Sequence, residues 1–153
     1  MPETVLSTPV VTKPEFTWVT PVLCVGDLVA SLEHYEKVLG FDRRWQWSEA
    51  QAFEEPGHPS FACVSRGEIS LFLCEKGQGQ PGAWLCLNVR TRDELEALFQ
   101  EYRASGALIL EEPQDRSWGM REMIVQDLDG NTFRIGLPTD SEDETAACNE
   151  AAN

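Results

Sequence analysis

Few side chains in this sequence have the types and spacing that chemistry needs. There are two histidines, His34 and His58, and five cysteines, Cys24, Cys63, Cys74, Cys86 and Cys148. His34 falls beside Tyr35 in a helical stretch, where a structural role is the stronger reading. His58 lies in the loop Glu54-Glu55-Pro56-Gly57-His58-Pro59, with no histidine partner placed by spacing, so a metal held there would be adventitious. No C-x-x-C pair occurs, which removes zinc-ribbon and thioredoxin-like chemistry. Four of the cysteines sit in apolar runs such as Val22-Leu23-Cys24-Val25. Buried free thiols in a reducing cytoplasm are expected of them, ahead of nucleophiles at Cys24 or Cys86. No Gly-x-Ser-x-Gly elbow, Walker motif or paired dinucleotide glycines are present. The stretch Gly77-Gln78-Gly79-Gln80-Pro81-Gly82 lacks the lysine of a phosphate loop and reads as a connector.

The five tryptophans are the more informative set: Trp18, Trp45, Trp47, Trp84 and Trp118. Trp18 falls in an apolar, β-branched run and is expected in the core. Trp45 and Trp47 alternate with polar neighbours, which puts both on one face of a strand. Trp118 follows the polar stretch Pro113-Gln114-Asp115-Arg116-Ser117, a costly place for an indole unless it contacts something.

Charge narrows the partners. Acids outnumber bases 26 to 12, a net charge of −14. Five of the acids lie in residues 139–153 with no base beside them, and the remainder of the chain is still acidic. A nucleic-acid binder needs a basic surface to displace counterions, so that class is disfavoured. No apolar run approaches the ~20 residues of a membrane span, and the first residues show no signal pattern. With 42% apolar residues the chain can bury a core.

The elements that would position these residues come in two similar sets. Residues 1–15 carry three prolines and read as an extended arm, and residues 139–153 as a disordered acidic tail. Between them, residues 16–138 form one domain. Residues 16–25 read as a strand, ended by Gly26-Asp27, with Asp27 as helix N-cap. Leu28, Leu32, Tyr35 and Leu39 then give one helical stripe closed by Gly40. Strands follow at 41–48, 60–65 and 68–75, the last two joined by a tight turn at Arg66-Gly67-Glu68. The order then repeats. A strand covers 83–89, and a capping box at Thr91-Arg92-Asp93-Glu94 opens a helix striped by Leu95, Leu98, Phe99 and Tyr102. Ser105-Gly106 ends that helix, and strands follow at 107–111, 120–126 and 132–137. Leu23-Cys24-Val25 matches Leu85-Cys86-Leu87 at an offset of 62, and Val64 matches Val125 at 61. One βαβββ unit is used twice, over about 16–76 and 83–138. The expected class is α+β, and each sheet has a helix on one face only, leaving the other to be buried or made into a pocket.

This tandem unit resembles the vicinal-oxygen-chelate superfamily, which includes glyoxalase I, extradiol dioxygenases and bleomycin-resistance proteins. Four segments carry a likeness to the last group: Thr20–Leu28, Leu39-Gly40-Phe41, Ser65–Leu73, and Trp118-Gly119-Met120-Arg121-Glu122-Met123 followed by Asp127-Leu128-Asp129-Gly130-Asn131. The enzymes of the superfamily hold a divalent metal through His and Glu side chains. By the family pattern those positions are Thr20, Trp84 and Arg134 here, none a customary ligand, and Arg134 would repel a cation. The resemblance therefore implies no metal cofactor and no catalysis. Trp84 is expected to face the concave sheet and shorten the metal cavity.

In bleomycin-resistance proteins, the resemblance implies, flat rings of the drug lie between aromatic side chains, matched here by Trp118 and by Trp45, with Trp47 beside it. Such stacking contributes roughly 1 kcal/mol beyond the area it buries. Carboxylates at the rim would meet a basic tail, with Asp115, Glu111, Glu112 and Glu49 as candidates, although Arg43-Arg44 beside Trp45 favours a different aromatic ligand. The family's members form homodimers that exchange an N-terminal segment about a proline, matched by Pro21. The expected function is cytoplasmic sequestration of a bleomycin-like glycopeptide or similar flat aromatic ligand, conferring antibiotic resistance. The rivals are a metal-dependent lyase, transferase or dioxygenase with displaced ligands, and a binder of an unrelated metabolite.

Overall fold

The computed structural model describes residues 13–48 and 57–142. Eight strands and two helices follow one another as β1 (Val22–Val25), α1 (Leu28–Lys37), β2 (Asp42–Trp47), β3 (Phe61–Arg66), β4 (Ile69–Glu75), β5 (Trp84–Asn88), α2 (Arg92–Ser105), β6 (Leu108–Asp115), β7 (Met120–Gln126) and β8 (Thr132–Pro138). The strands make two four-stranded sheets ordered β1-β4-β3-β2 and β5-β8-β7-β6. In each, the first strand of the module runs parallel to the last and the other pairs are antiparallel. The repeat legible in the sequence is thus a repeat of topology, in an α+β fold.

The helix boundaries follow local chemistry. Asp27 caps α1, its side chain accepting from Ala30 N at 3.0 Å. Thr91 caps α2 through Glu94 N at 3.1 Å, and Gly106 ends it in the left-handed conformation. The capping box differs from expectation in one bond. Glu94 reaches back to Arg90 N, at 2.8 Å, one residue beyond the cap itself.

Alternation then decides what each strand face does. Leu23, Val25, Val64, Leu71, Leu73, Met123, Val125, Phe133, Ile135 and Leu137 point to the helices and join Leu28, Leu32, Tyr35, Leu95 and Phe99 in one core shared by both modules. The opposite faces lack such cover. On β5 the exposed residues are Trp84, Cys86 and Asn88. This corrects the expectation of uniformly buried thiols: Cys63 and Cys74 are buried, Cys24 is half-buried and Cys86 is exposed. The period of two carries Cys24 and Cys86 to the open faces. Cys148 lies outside the described residues.

The Asp127–Asn131 turn ties the modules together. Asp127 accepts from Tyr35 Oη at 2.8 Å, Asp129 N at 2.8 Å, Asn131 N at 2.9 Å and Asn131 Nδ2 at 2.8 Å. Asp129 accepts from Gly26 N at 2.8 Å, and Asn131 donates to the Cys24 carbonyl at 3.2 Å. On the far side Arg66 donates two bonds to Glu101, at 2.8 and 2.7 Å.

The first strand is shorter than expected. Residues 13–21 have no regular structure, and Phe16, Trp18 and Val19 are exposed. Trp18, expected in the core, is 83% exposed. A β-branched run becomes a strand only where another strand accepts its hydrogen bonds, and none is offered before Pro21, whose carbonyl accepts from Phe72 N at 2.9 Å. Most of the arm lies outside the described residues. Of the expected acidic tail, Thr139–Glu142 form a short 3-10 helix, and residues 143–153 are outside them. Among the described residues no helix is long and apolar enough to cross a membrane.

Gly136 in β8 marks a close approach. A Cβ there would fall 2.2 Å from the Arg121 carbonyl oxygen and 2.6 Å from Glu122 Cβ. Gly136→Ala is expected to destabilise by about 2 kcal/mol, because backbone and not a flexible tip must move. Thermal melts check this, and an unchanged melting temperature would contradict the packing.

Candidate functional site

The open face of the second sheet gathers residues from four strands. Trp84 and Cys86 come from β5, Arg134 from β8 opposite Cys86, Glu122 from β7 opposite Gly136, and Glu111 from β6 opposite Ile124. Trp118 stands on the turn between β6 and β7, closed by Arg116 N to the Met120 carbonyl at 2.7 Å and by Gly119 at positive φ. Trp84 is 63% exposed and Trp118 58%.

Between the two indoles lies a cation. The Arg134 guanidinium carbon sits 5.8 Å from the ring centres of both Trp84 and Trp118, and that of Arg116 sits 5.7 Å from Trp118. Beneath them Glu122 is 2% exposed. Its Oε1 lies 3.6 Å from Arg116 Nε and 3.5 Å from Arg134 Nε. All three atoms are buried without a hydrogen-bond partner. One buried carboxylate thus holds two guanidinium groups, and Arg116 also pairs with Glu111.

On the first sheet, Trp45 and Trp47 share the open face as alternation predicts, paired with Cys63 and Phe61 of β3. The Trp45 ring stacks on Phe61 at 5.8 Å and 24°, and lies tilted against Phe72 at 5.4 Å and 54°. The register slips between Arg43 and Trp45. Arg43 consequently turns to the helix side and pairs with Glu36 at 2.6 Å. Among the described residues no ring contact joins Trp45 to Trp118 within one chain; they stand on different sheets.

Asp115 does not join this group. It pairs with Arg121 at 3.2 Å and Arg92 at 3.8 Å, and Arg121 in turn binds Glu96 of α2. The strand β6 runs on to Asp115 through two irregularities of register, so Asp115 ends on the helix side of the sheet. Glu112 lies in the bulged stretch, and Glu49 is outside the described residues. The residues that spacing alone did not assemble are Arg116 and Glu122. The signal for them is Gly136, a strand glycine that leaves room for the Glu122 backbone.

Counted back seven residues from the helix N-caps Asp27 and Thr91, Thr20 and Trp84 hold corresponding places in the two modules, and Arg134 of β8 pairs with Cys86 of β5. None of Thr20, Trp84 and Arg134 offers an imidazole or a carboxylate. The nearest acid, Glu122, already faces two guanidinium groups. These residues do not fit a divalent cation.

A different group of possible ligands, Asp27, His58 and Glu75, brings its atoms within 4.8 Å of one another. Its carboxylates are already occupied. Asp27 caps α1, and Glu75 Oε2 accepts from Leu28 N at 2.8 Å while lying 2.7 Å from His58 Nε2. A cation there would meet the positive end of the helix dipole, so the cluster reads as a cap. The bond from Leu28 N, then the one with His58, holds the Glu75 carboxyl below its usual range. A depressed folded pKa means stability that is present above the unfolded value and lost as pH falls through the folded one. Glu75→Gln should lower stability near neutrality and flatten its decline toward acid, read by melts over pH; a parallel decline in both proteins would contradict it.

A cavity of about 520 Å³ lies elsewhere, between the β3–β4 turn and α2 over Phe41, Leu87, Leu98 and Ile135. Its rim charges are paired with each other, Arg66 with Glu101 and Arg90 with Glu68. The tryptophan faces, with their exposed indoles beside Arg134, are the better site.

The family model described as Glyoxalase/Bleomycin resistance protein/Dioxygenase superfamily matches residues 16–135. The chain belongs to this superfamily. Among solved structures of similar fold, TioX from Micromonospora sp. ML1 has a TM-score of 0.63 at 20% identity, with 78% of this chain and 98% of that one covered. A glyoxalase/bleomycin resistance protein/dioxygenase from Nocardioides has 0.60 at 19%, covering 82% and 85%. A superfamily member from Sphaerobacter thermophilus has 0.59 at 22%, covering 79% and 97%. These similarities establish the superfamily's fold and not an activity. No curated protein matches the sequence.

Proposed function

We propose that this superfamily member is a non-catalytic binding protein of the cytoplasm, a homodimer that sequesters a flat aromatic ligand between Trp45 of one subunit and Trp118 of the other. Capture of a bleomycin-like glycopeptide, conferring resistance, is the form of this activity drawn from the superfamily's resistance proteins. One observation carries the reading: both sheets present exposed tryptophans on faces that no part of the described chain covers. Monomeric soluble proteins rarely leave such apolar area in water. Trp47 and Trp84 flank the clamp on their own sheets. The exposed Phe16, Trp18 and Val19 supply an arm that crosses to the partner about Pro21, where the chain is first pinned to a strand.

Protection by stoichiometric capture requires affinity near micromolar, about −8 kcal/mol. Calorimetry of chelator-treated protein against bleomycin, metal-free and copper-loaded, and against a panel of flat aromatic compounds tests the reading. Binding at one ligand per clamp without added metal is expected. Tight stoichiometric zinc, manganese, nickel or iron with metal-dependent turnover would overturn it in favour of an enzyme.

Removing residues 1–15 is expected to shift sedimentation from dimer toward monomer and to weaken capture together with it. An unchanged dimer would dismiss the arm's role.

A further inference from the structure

Where the superfamily's enzymes place a metal ligand, this chain places Arg134. We propose that Arg134 anchors a carboxylate, so that the ligand of the tryptophan face is a flat aromatic acid and not an aromatic cation. The proposal rests on the reading of that face as a site for a flat aromatic ligand, and by naming the charge of that ligand it replaces the bleomycin-like form of the reading, whose tail is basic, with an anionic one.

Three features of the site carry it. First, the guanidinium lies between the two indoles. Its carbon is 5.8 Å from both the Trp84 and Trp118 ring centres, and its Nε faces the buried Glu122 at 3.5 Å without a hydrogen bond. With the Nε edge turned inward, the terminal nitrogens are left for a second partner, in the fork geometry that matches a carboxylate. The side chain is 40% exposed although Nε is shut off from solvent.

Second, the nearby carboxylates are already engaged. Arg116 takes Glu111 and shares Glu122, while Glu122 is the one acid within ion-pair distance of Arg134 among the described residues. Its Oε1 is buried without a hydrogen bond, so it orients Arg134 without saturating it. A cationic ligand finds little to bind here. Asp115 is engaged with Arg121 and Arg92 on the helix side. Glu112 stands on the edge strand β6, two strands from Arg134.

Third, the neighbours of the anchor are flat. An aromatic ring carrying a carboxylate can lie on an exposed indole while its acid group reaches the guanidinium set between the two tryptophans. Arg134 then supplies, as a fixed side-chain charge, the attraction for anionic oxygen that a bound metal supplies in the superfamily's enzymes.

The test compares three probes with one ring system, 2-naphthoic acid, 2-naphthamide and 2-(aminomethyl)naphthalene, by calorimetry on the full chain. The acid is expected to bind about tenfold or more tighter than the amide, and the amine most weakly. Arg134→Gln should remove the preference for the acid, so that acid and amide bind alike, and Arg134→Lys should recover only part of it, since a point charge lacks the fork. An amide or amine that equals the acid on the wild-type protein overturns the proposal, whether or not the variants fold, and leaves the aromatic face standing as a site. Retained acid preference in Arg134→Gln overturns the role of Arg134. Binding by none of the three overturns the reading of the face and the proposal with it.

Discussion

Asp127→Ala is expected to be the most destabilising single change outside the hydrophobic core, at about 4 kcal/mol. The carboxylate accepts four hydrogen bonds, from Tyr35, Asp129 N and both nitrogens of Asn131. Tyr35 is fully buried, so its hydroxyl would be left with neither partner nor water. Asn131 would lose the contacts that aim its amide at the Cys24 carbonyl, and with them a link between the modules. A loss of that size lowers the melting temperature by roughly 15 °C in a domain of this length. Tyr35→Phe in the Asp127→Ala background should recover part of the loss, because it removes the orphaned donor. A melting temperature within two or three degrees of wild type, on the order of the ordinary surface-substitution effect, would show that the turn is not the link described.

Trp45→Ala and Trp118→Ala are each expected to weaken ligand capture about thirtyfold, roughly 2 kcal/mol. Each removes one stacking face and leaves the other in contact with water. Their effects should not add, because a single remaining face already fails to exclude solvent. Folding should survive both. Trp118 is 58% exposed on a turn, where its ring meets Arg116 and Arg134, so its loss costs the core little. Trp45 stacks on Phe61 and packs tilted against Phe72, so its loss should cost about 1 kcal/mol of stability. Titrations and melts on the same samples separate the readings: lowered stability with intact affinity would return both rings to a purely structural role.

Much of the fold was legible because it is written in local signals. Asp27 and Thr91 at the caps, Gly106 beyond α2 and the period of the apolar stripes each fix an element from its own residues. The matched offsets then fix the repeat. The errors arise where a partner decides. The run from Phe16 to Val19 has strand composition and no strand beside it. Cys24 and Cys86 sit in apolar runs, yet alternation turns them to the open side, which composition cannot reveal. Nearness in sequence places Asp115 beside Trp118, whereas the irregular register of β6 takes it to Arg121. The grouping of Trp45 with Trp47 succeeded because it needs only the period of a strand. The triad of Arg116, Glu122 and Arg134 spans the β6–β7 turn, β7 and β8, and strand pairing brings it together; in the sequence it leaves only the trace of Gly136.

If each ligand site is completed across two subunits, mixed dimers should reveal it. Trp45→Ala and Trp118→Ala chains, each carrying a different affinity tag, are co-expressed and the heterodimer is isolated through both tags. If one clamp takes Trp45 from one chain and Trp118 from the other, the heterodimer has one site with both tryptophans and one with neither. Calorimetry should then find one site per heterodimer at wild-type affinity, although each parent homodimer binds about thirtyfold more weakly. A heterodimer as weak as its parents, or a monomeric protein that binds at full affinity, would contradict the claim.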